Sequence, residues 1–244
     1  MRKIVLYTIA LLILVYPSAT LAKVKVPILV YHSIAEYKGH GSKELFVTPE
    51  NFEKQMNYLK KNGFTLLTFE RWKDINKVNK PIFITFDDGY KNNLNAYEIF
   101  RKLKDKRFQP VGTLFVISDY IGTQNRLTNE ELKRMGDSGL FSIQSHTAIH
   151  ADLTKINHYE AELKGSKEKI EKITGKPVIA LAYPFGNFNN QVANETKKYY
   201  RFGLTTTPGP YVETGMENEL YFLPRIYIKN STTLEEFANI VKGS

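Results

Sequence analysis

Short apolar runs alternate with capped helical segments along almost the whole chain, and that alternation restricts the fold more than any other feature. Val26–Tyr31, Phe64–Leu67, Pro81–Phe86, Gly112–Ile117, Phe141–Ser145, Val178–Tyr183, Phe202–Thr206 and Tyr221–Tyr227 have the length and apolarity of strands. Between them, Thr48-Pro49-Glu50 supplies a cap and a first-turn proline, with Asn62-Gly63 as the stop. Phe69–Ile75 reads as a short helix. Leu94, Tyr97, Phe100 and Leu103 form a helical stripe within residues 92–106. Thr128-Asn129-Glu130-Glu131 is a capping box, Asn157–Thr174 a helix closed by Gly175, and Gln191–Tyr199 another. Thr232-Thr233-Leu234-Glu235 opens a last helix, and residues 33–47 read as a loop. With no internal repeat and no low-complexity linker, the pattern predicts one α/β domain, either a parallel barrel or an open sheet.

The first 22 residues read as a removable secretory signal. Arg2 and Lys3 are a basic start, Ile4–Tyr16 an apolar run and Ser18-Ala19-Thr20-Leu21-Ala22 a small-residue exit. The run is short for a membrane span, although an uncleaved anchor is the alternative. Residues 23–244 then form the working domain, expected outside the cell and as a monomer. The chain has no cysteine, which excludes disulfides, thiolate nucleophiles and thiolate ligands. Net charge is +9. It reads as a solvated basic surface, with attraction to an anionic cell surface as the sharper alternative. Nucleic acid is not an expected partner, because the lysines are scattered.

Chemistry concentrates at strand ends, where α/β folds build their sites. Pro81–Phe86 runs into Asp87-Asp88-Gly89, and Phe141–Ser145 into His146-Thr147-Ala148-Ile149-His150. Two imidazoles four residues apart face one ion if they share a helical turn or a tight loop. With Asp88 they make a ligand set of two nitrogens and a carboxylate that leaves positions open. Zn²⁺ is the expected ion, with Co²⁺ or Ni²⁺ as alternatives. It would lower the pKa of its water from about 16 toward about 7 and polarise a carbonyl. Asp87 is left to take a proton. The bond cleaved should be an amide or ester, whose tetrahedral intermediate needs a donor. A backbone N–H in the turn at Phe185 is one candidate. A leaving amine needs a proton, and of the five histidines only His32 falls at a strand end without being a ligand; His40 and His158 read as solvated.

Each feature has a plainer counterpart. Asp-Asp-Gly is a common turn, and two spaced histidines on a helix usually face water. Tyr31-His32 reads equally as a core tyrosine beside a hydrogen-bonded histidine. Arg225 is as readily a structural ion-pair partner as a group orienting Asp87. The coincidence of both motifs at strand ends favours the chemical reading.

Thr85-Phe86-Asp87-Asp88-Gly89, His146-Thr147-Ala148-Ile149-His150 and Tyr183-Pro184-Phe185-Gly186 resemble the first three motifs of the polysaccharide deacetylases, carbohydrate esterase family 4. The resemblance spans roughly residues 26 to 228. It implies a distorted (β/α)₇ barrel, Asp87 as catalytic base, Asp88, His146 and His150 as metal ligands, and Phe185, flanked by Tyr183, at the oxyanion site. It also implies removal of acetyl groups from N-acetylglucosamine units or acetylated xylan. Two departures stand out. The position that normally carries an arginine in the third motif is Ala182, and no histidine follows His158 to supply the family's late general acid. Together with Val30-Tyr31-His32-Ser33 and Pro224-Arg225-Ile226, these departures resemble the branch acting on poly-β-1,6-N-acetylglucosamine of biofilms. There His32 would replace the late histidine, with Tyr31 and Arg225 beside it. Peptidoglycan is the alternative polymer. A non-catalytic polysaccharide-binding protein and a non-haem iron oxygenase are competing classes, since two histidines and a carboxylate also suit Fe(II).

Overall fold

The computed structural model describes residues 25–243, so the expected signal over residues 1–22 lies outside the described residues. Strands β1 (Ile28–Tyr31), β2 (Thr65–Leu67), β3 (Pro81–Phe86), β4 (Gly112–Val116), β5 (Phe141–Ser145), β6 (Ala180–Ala182), β7 (Phe202–Leu204) and β8 (Ile226–Tyr227) form one parallel sheet. Its order is β7-β6-β5-β4-β3-β1-β8, with β2 paired to the first half of β3. Phe83 pairs with both Ile28 and Leu67. β2 therefore borders β3 on the edge away from β1, the edge that β4 takes further along. All six residues of β3 are buried, as a parallel strand covered on both faces requires.

The barrel closes irregularly. The expected strand over residues 221–227 is regular only at Ile226–Tyr227, because Glu219–Tyr221 coils into a 3₁₀ turn. Residues 223–225 instead continue the ladder beside β7. Leu223 N–H donates to Gly203 O (3.0 Å), Thr205 N–H to Leu223 O (2.9 Å) and Arg225 N–H to Thr207 O (3.1 Å). The chain then changes partner and pairs with Leu29 and Val30 of β1. One segment thus joins both edges of the sheet, which is the distortion of the barrel.

Side chains alternate along the strands between two cores. Ile28, Phe83, Phe115, Ala180 and Phe202 point inward to a cluster plugged by Phe69 and Trp72 from the short helix at Phe69–Asp74. Phe69 and Phe83 lie 5.0 Å apart, and Trp72 and Phe202 5.2 Å. Leu29, Tyr31, Ile84, Phe86 and Leu114 point outward, under helices α1 (Pro49–Lys61), α2 (Asn93–Leu103), α3 (Asn129–Asp137), α4 (Ser166–Thr174), α5 (Asn190–Lys197) and α6 (Leu234–Lys242). The caps lie where side-chain chemistry puts them. Thr48 accepts from Asn51 N, and Thr128 and Thr233 each close a capping box with a glutamate three residues on. Among the described residues, no helix is long and apolar enough to cross a membrane.

Three local features depart from the sequence reading. A π-turn at Ala161–Gly165 precedes α4 within the stretch expected to be one helix. Lys25–Val26 pairs antiparallel with Tyr211–Val212. Ser33–Ile34 pairs with Phe46–Val47 inside the expected loop, because distant side chains hold both ends. Asn92 Oδ1 accepts from Ile34 N (3.2 Å), and Asn230 Nδ2 donates to Phe46 O (2.7 Å).

Candidate active site

The carboxyl ends of β1, β3, β5 and β6 converge on one mouth of the barrel, bringing His32, Asp87-Asp88, His146 and Tyr183–Gly186 into it. Asp87 continues β3, its N–H donating to Tyr31 O (3.0 Å). By the two-residue alternation its side chain points inward like that of Thr85. Asp88 and Gly89 then turn the chain sharply, at φ +73° and +67°.

Asp88 Oδ1 lies 3.6 Å from His146 Nε2 and 3.7 Å from His150 Nε2. The three candidate ligand atoms all fall within 4.8 Å of one another. Tetrahedral ligands about 2.0–2.2 Å from an ion stand about 3.3–3.6 Å apart, so a small divalent ion fits with little adjustment. The tautomer also fits. His146 Nδ1 is 2.8 Å from Ala182 O, which can only accept, so Nδ1 carries the proton and Nε2 turns its lone pair to the shared point.

His150 reaches that point from a tight loop, the second of the two arrangements the spacing allowed. Thr147 and His150 both have left-handed backbones, at φ +67° and +63°. His150 N–H donates to Thr147 Oγ1 (3.0 Å), and Ser166 Oγ donates to Thr147 O (3.0 Å). Buried Glu162 accepts two of the three amides between the histidines, from Ala148 (2.9 Å) and Ile149 (3.1 Å), through one carboxylate oxygen. Sequence reading missed this residue. Its signal was an acid falling beside the buried stripe Tyr159, Leu163, Ser166 and Ile170. Glu162→Ala should orphan one buried and one part-buried amide, costing about 1–3 kcal/mol. It should also weaken divalent-ion binding about 10–100-fold in competition with a chromogenic chelator. Glu162→Gln, which keeps an acceptor, should lose much less. Equal affinities in both variants and the parent would refute this role.

Asp87 lies just off the triad, Oδ2 4.0 Å from His146 Nε2. Arg225 grips it in a fork, Nη1 to Oδ1 and Nη2 to Oδ2 both at 2.7 Å, with both side chains buried. The guanidinium is fixed in turn by Nε to Thr205 O (2.9 Å) and Nη1 to Thr85 Oγ1 (3.3 Å). Burial pushes the Asp87 carboxyl up, but the attraction of Arg225, then of His146, overrides it and holds the group ionised, well below the usual carboxylate range. Ala182, where an arginine was expected, gives its carbonyl to His146 instead.

His32 is half-buried one residue past β1, its ring 5.2 Å from that of Tyr227. Its Nδ1 is buried and makes no hydrogen bond among the described residues. Burial lowers its pKa, and Asp87 and Asp88 offset only part of that, so the net shift is downward. The two tyrosines face the other way. Tyr31 lies on the outward side of β1, its hydroxyl donating to Gln55 (2.9 Å), and the Tyr183 hydroxyl donates to Tyr221 O (3.0 Å). Both side chains are therefore core residues, and a substrate contact by either hydroxyl is not what the geometry offers. Phe185 stands at φ +61° with its ring exposed and 4.5 Å from that of His150. The amides of Tyr183, Gly186 and Asn187 are committed to backbone carbonyls, which leaves the Phe185 N–H as the donor the turn can offer. Gly186 is required beside it. At φ +71° an added Cβ would meet Thr206 Oγ1 at 2.0 Å. His40 and His158 are exposed.

Comparison with known proteins bears on this arrangement. The family model described as polysaccharide deacetylase matches residues 74–202. A Bacillus subtilis protein named as a polysaccharide deacetylase is 32% identical over 228 residues, covering 90% of this chain and 77% of its own. A Staphylococcus epidermidis poly-β-1,6-N-acetyl-D-glucosamine N-deacetylase is 29% identical over 227 residues, covering 83% of this chain and 74% of its own. Among solved structures, a polysaccharide deacetylase of Bacillus cereus superposes with a TM-score of 0.89 at 58% identity, over 90% of this chain and 69% of that one.

Proposed function

Because the chain belongs to the polysaccharide deacetylase family, we propose that it removes N-acetyl groups, with a divalent metal, from an N-acetylglucosamine polymer outside the cell, poly-β-1,6-N-acetylglucosamine in the first place. One observation carries the reading: the triad Asp88, His146 and His150 converges on a common point while Asp87, kept ionised by Arg225, stands beside it.

Asp88, His146 and His150 would hold the ion, zinc by ligand type. A bound divalent ion polarises the acetyl carbonyl and acidifies water. Asp87 accepts a proton from the attacking water through the carboxylate that Arg225 keeps charged and aimed. As the carbonyl carbon becomes tetrahedral, the Phe185 N–H donates to the developing oxyanion. His32 delivers a proton to the sugar nitrogen as the C–N bond breaks, so acetate and a free amine leave. Its neighbouring carboxylates offset part of the pull of burial, which still leaves its pKa below that of a free imidazole and its proton readily given up.

The choice of polymer is supported by the S. epidermidis relative and by the pairing of an early His32 with a late Arg225. The signal-like residues 1–22 support export, and the +9 charge suits an anionic surface. Mass spectrometry of β-1,6- and β-1,4-linked N-acetylglucosamine oligomers tests the reading. Zinc-loaded protein should strip acetyl groups from the β-1,6 series, chelation should stop it, and added Zn²⁺ should restore it. Acetyl loss from the β-1,4 series alone would move the substrate to a β-1,4-linked polymer, the linkage peptidoglycan has. Binding without acetyl loss under Zn²⁺, Co²⁺ or Ni²⁺ would make the protein a non-catalytic relative.

A further inference from the structure

Charge is unevenly distributed over the barrel. The strands run parallel, so the residues that lead into them share the end away from the site mouth. These are residues 25–27, 60–64, 76–80, 102–111, 137–140, 172–179 and 197–201. Residues 242–243 join them, because Lys25 Nζ donates to Gly243 O (3.1 Å). So do residues 211–222, since Tyr211–Val212 pairs with Lys25–Val26 and the Tyr221 hydroxyl donates to Tyr200 O (3.1 Å). Together these stretches hold fifteen lysines and arginines against five acids, whereas the rest of residues 25–243 holds sixteen against twenty.

Part of the excess has a structural origin. In a parallel α/β barrel the helices all finish at one end, and a cation in a last turn complements the helix dipole. Lys61, Lys102, Lys172, Lys197 and Lys242 are explained in this way. Lys25, Lys80, Lys104, Lys106, Arg107 and Arg201 are not, since each lies outside the helices. All six are exposed, and none forms an ion pair among the described residues. Lys80 Nζ, for example, donates to the Asn62 carbonyl (2.9 Å) and not to an acid.

Apolar surface accompanies these cations. Lys25, Lys80 and Lys242 line a cleft of about 230 Å³ together with Tyr58, Phe64 and Val241. Cations beside apolar side chains suit a phosphate carried on an aliphatic molecule better than a free, fully hydrated anion. Met216, 67% exposed, adds an apolar side chain at the same end. Residues 1–24, with the apolar run Ile4–Tyr16, join the domain at Lys25, on the wall of that cleft.

Resting on the export proposed above, we infer that this end of the barrel docks on a bilayer carrying acidic headgroups. Docking there directs the site mouth away from the membrane and toward the polymer. Each cation near such a surface contributes modestly, so the whole end acts together. A bilayer is favoured over a soluble polyanion because apolar side chains lie among the cations and the apolar run enters beside them.

The test is sedimentation of the full chain with vesicles of phosphatidylcholine, alone or mixed with phosphatidylglycerol. Binding should be at least about tenfold tighter on the mixed vesicles, and high salt should abolish the difference. Lys61→Glu, Lys106→Glu and Lys242→Glu together should remove most of it. The corresponding glutamine set, milder for folding, should remove less in the same direction. Lys38→Glu, Lys43→Glu and Lys155→Glu make the same charge change at the mouth end and should leave the difference intact. Because the chain has no cysteine, a dye can be attached at one chosen position. A lipid-borne quencher should darken a dye on Met216→Cys but not one on Glu130→Cys, in the first turn of α3. Equal binding to both vesicles, equal losses in the two glutamate sets, or quenching at position 130 would overturn the docking. So would capture by a soluble polyphosphate with no preference for acidic lipid. Acetyl release from soluble oligomers is measured apart from vesicles, so failure of docking and failure of the deacetylase reading are told apart.

Discussion

Asp87→Asn should lower acetate release by about 10²–10⁴-fold, the range of a positioned general base, while divalent-ion affinity changes little. The separation follows from geometry. Asp88, not Asp87, supplies the oxygen nearest both imidazoles, whereas Asp87 stands 4.0 Å from His146 and faces Arg225. Asparagine keeps the side chain's shape and one oxygen for the Arg225 fork but cannot take up a proton. Asp88→Asn should behave in the opposite order, losing the ion first and activity as a consequence. Acetate release from purified protein and ion affinity by chelator competition distinguish the two. Unchanged turnover in Asp87→Asn would remove Asp87 from the role of base.

That division between two adjacent carboxylates was legible in the sequence because both follow a run that is apolar but for Thr85, as a parallel strand buried on both faces requires. His146 likewise follows a strand, though one that mixes apolar and polar residues, and the alternation of runs and caps gave the α/β class, with the barrel implied by the family resemblance. What escaped reading depends on partners far away in the chain. Arg225 was visible only as one of two equal readings, since its bond to Asp87 spans 138 positions and the strand expected over residues 221–227 is regular only at Ile226–Tyr227. Glu162 acts on amides, not side chains, and backbone partners leave little trace in local sequence. The two left-handed residues that fold the His146–His150 loop are a threonine and a histidine. Sequence reading expects glycine or asparagine at such positions, so the loop could not be told from a helical turn. Tyr31 and Tyr183 mark the converse error, in which nearness in sequence to site residues did not put their side chains in the site. The two-residue alternation of a strand sends neighbours to opposite faces.

The ion pair between Arg225 and Asp87 should then be the most consequential contact in the molecule for stability as well as rate. Both groups are almost fully enclosed. Arg225→Met would leave a carboxylate with no counter-charge in the barrel interior. Breaking one partner of a buried pair costs about 3–5 kcal/mol, which is a large part of the 5–15 kcal/mol that keeps a typical domain folded. Arg225→Met should therefore melt well below the parent in a thermal scan. It should also lose deacetylation, because the displaced or protonated Asp87 no longer accepts a proton. The double substitution Arg225→Met with Asp87→Asn separates the two effects. Removing both charges replaces an orphaned ion with a neutral amide beside an apolar side chain. Most of the lost stability should return, while activity stays at the Asp87→Asn level. A double variant as unstable as Arg225→Met would mean that the bonds of Arg225 to Thr205 and Thr85 carry the stabilisation, making the arginine a strut of the irregular closing segment. Recovery of stability without activity would assign Arg225 to Asp87. The barrel's distortion at residues 223–227 would then have a chemical reason, because it is the bend that brings an arginine to the base from a segment other than β6.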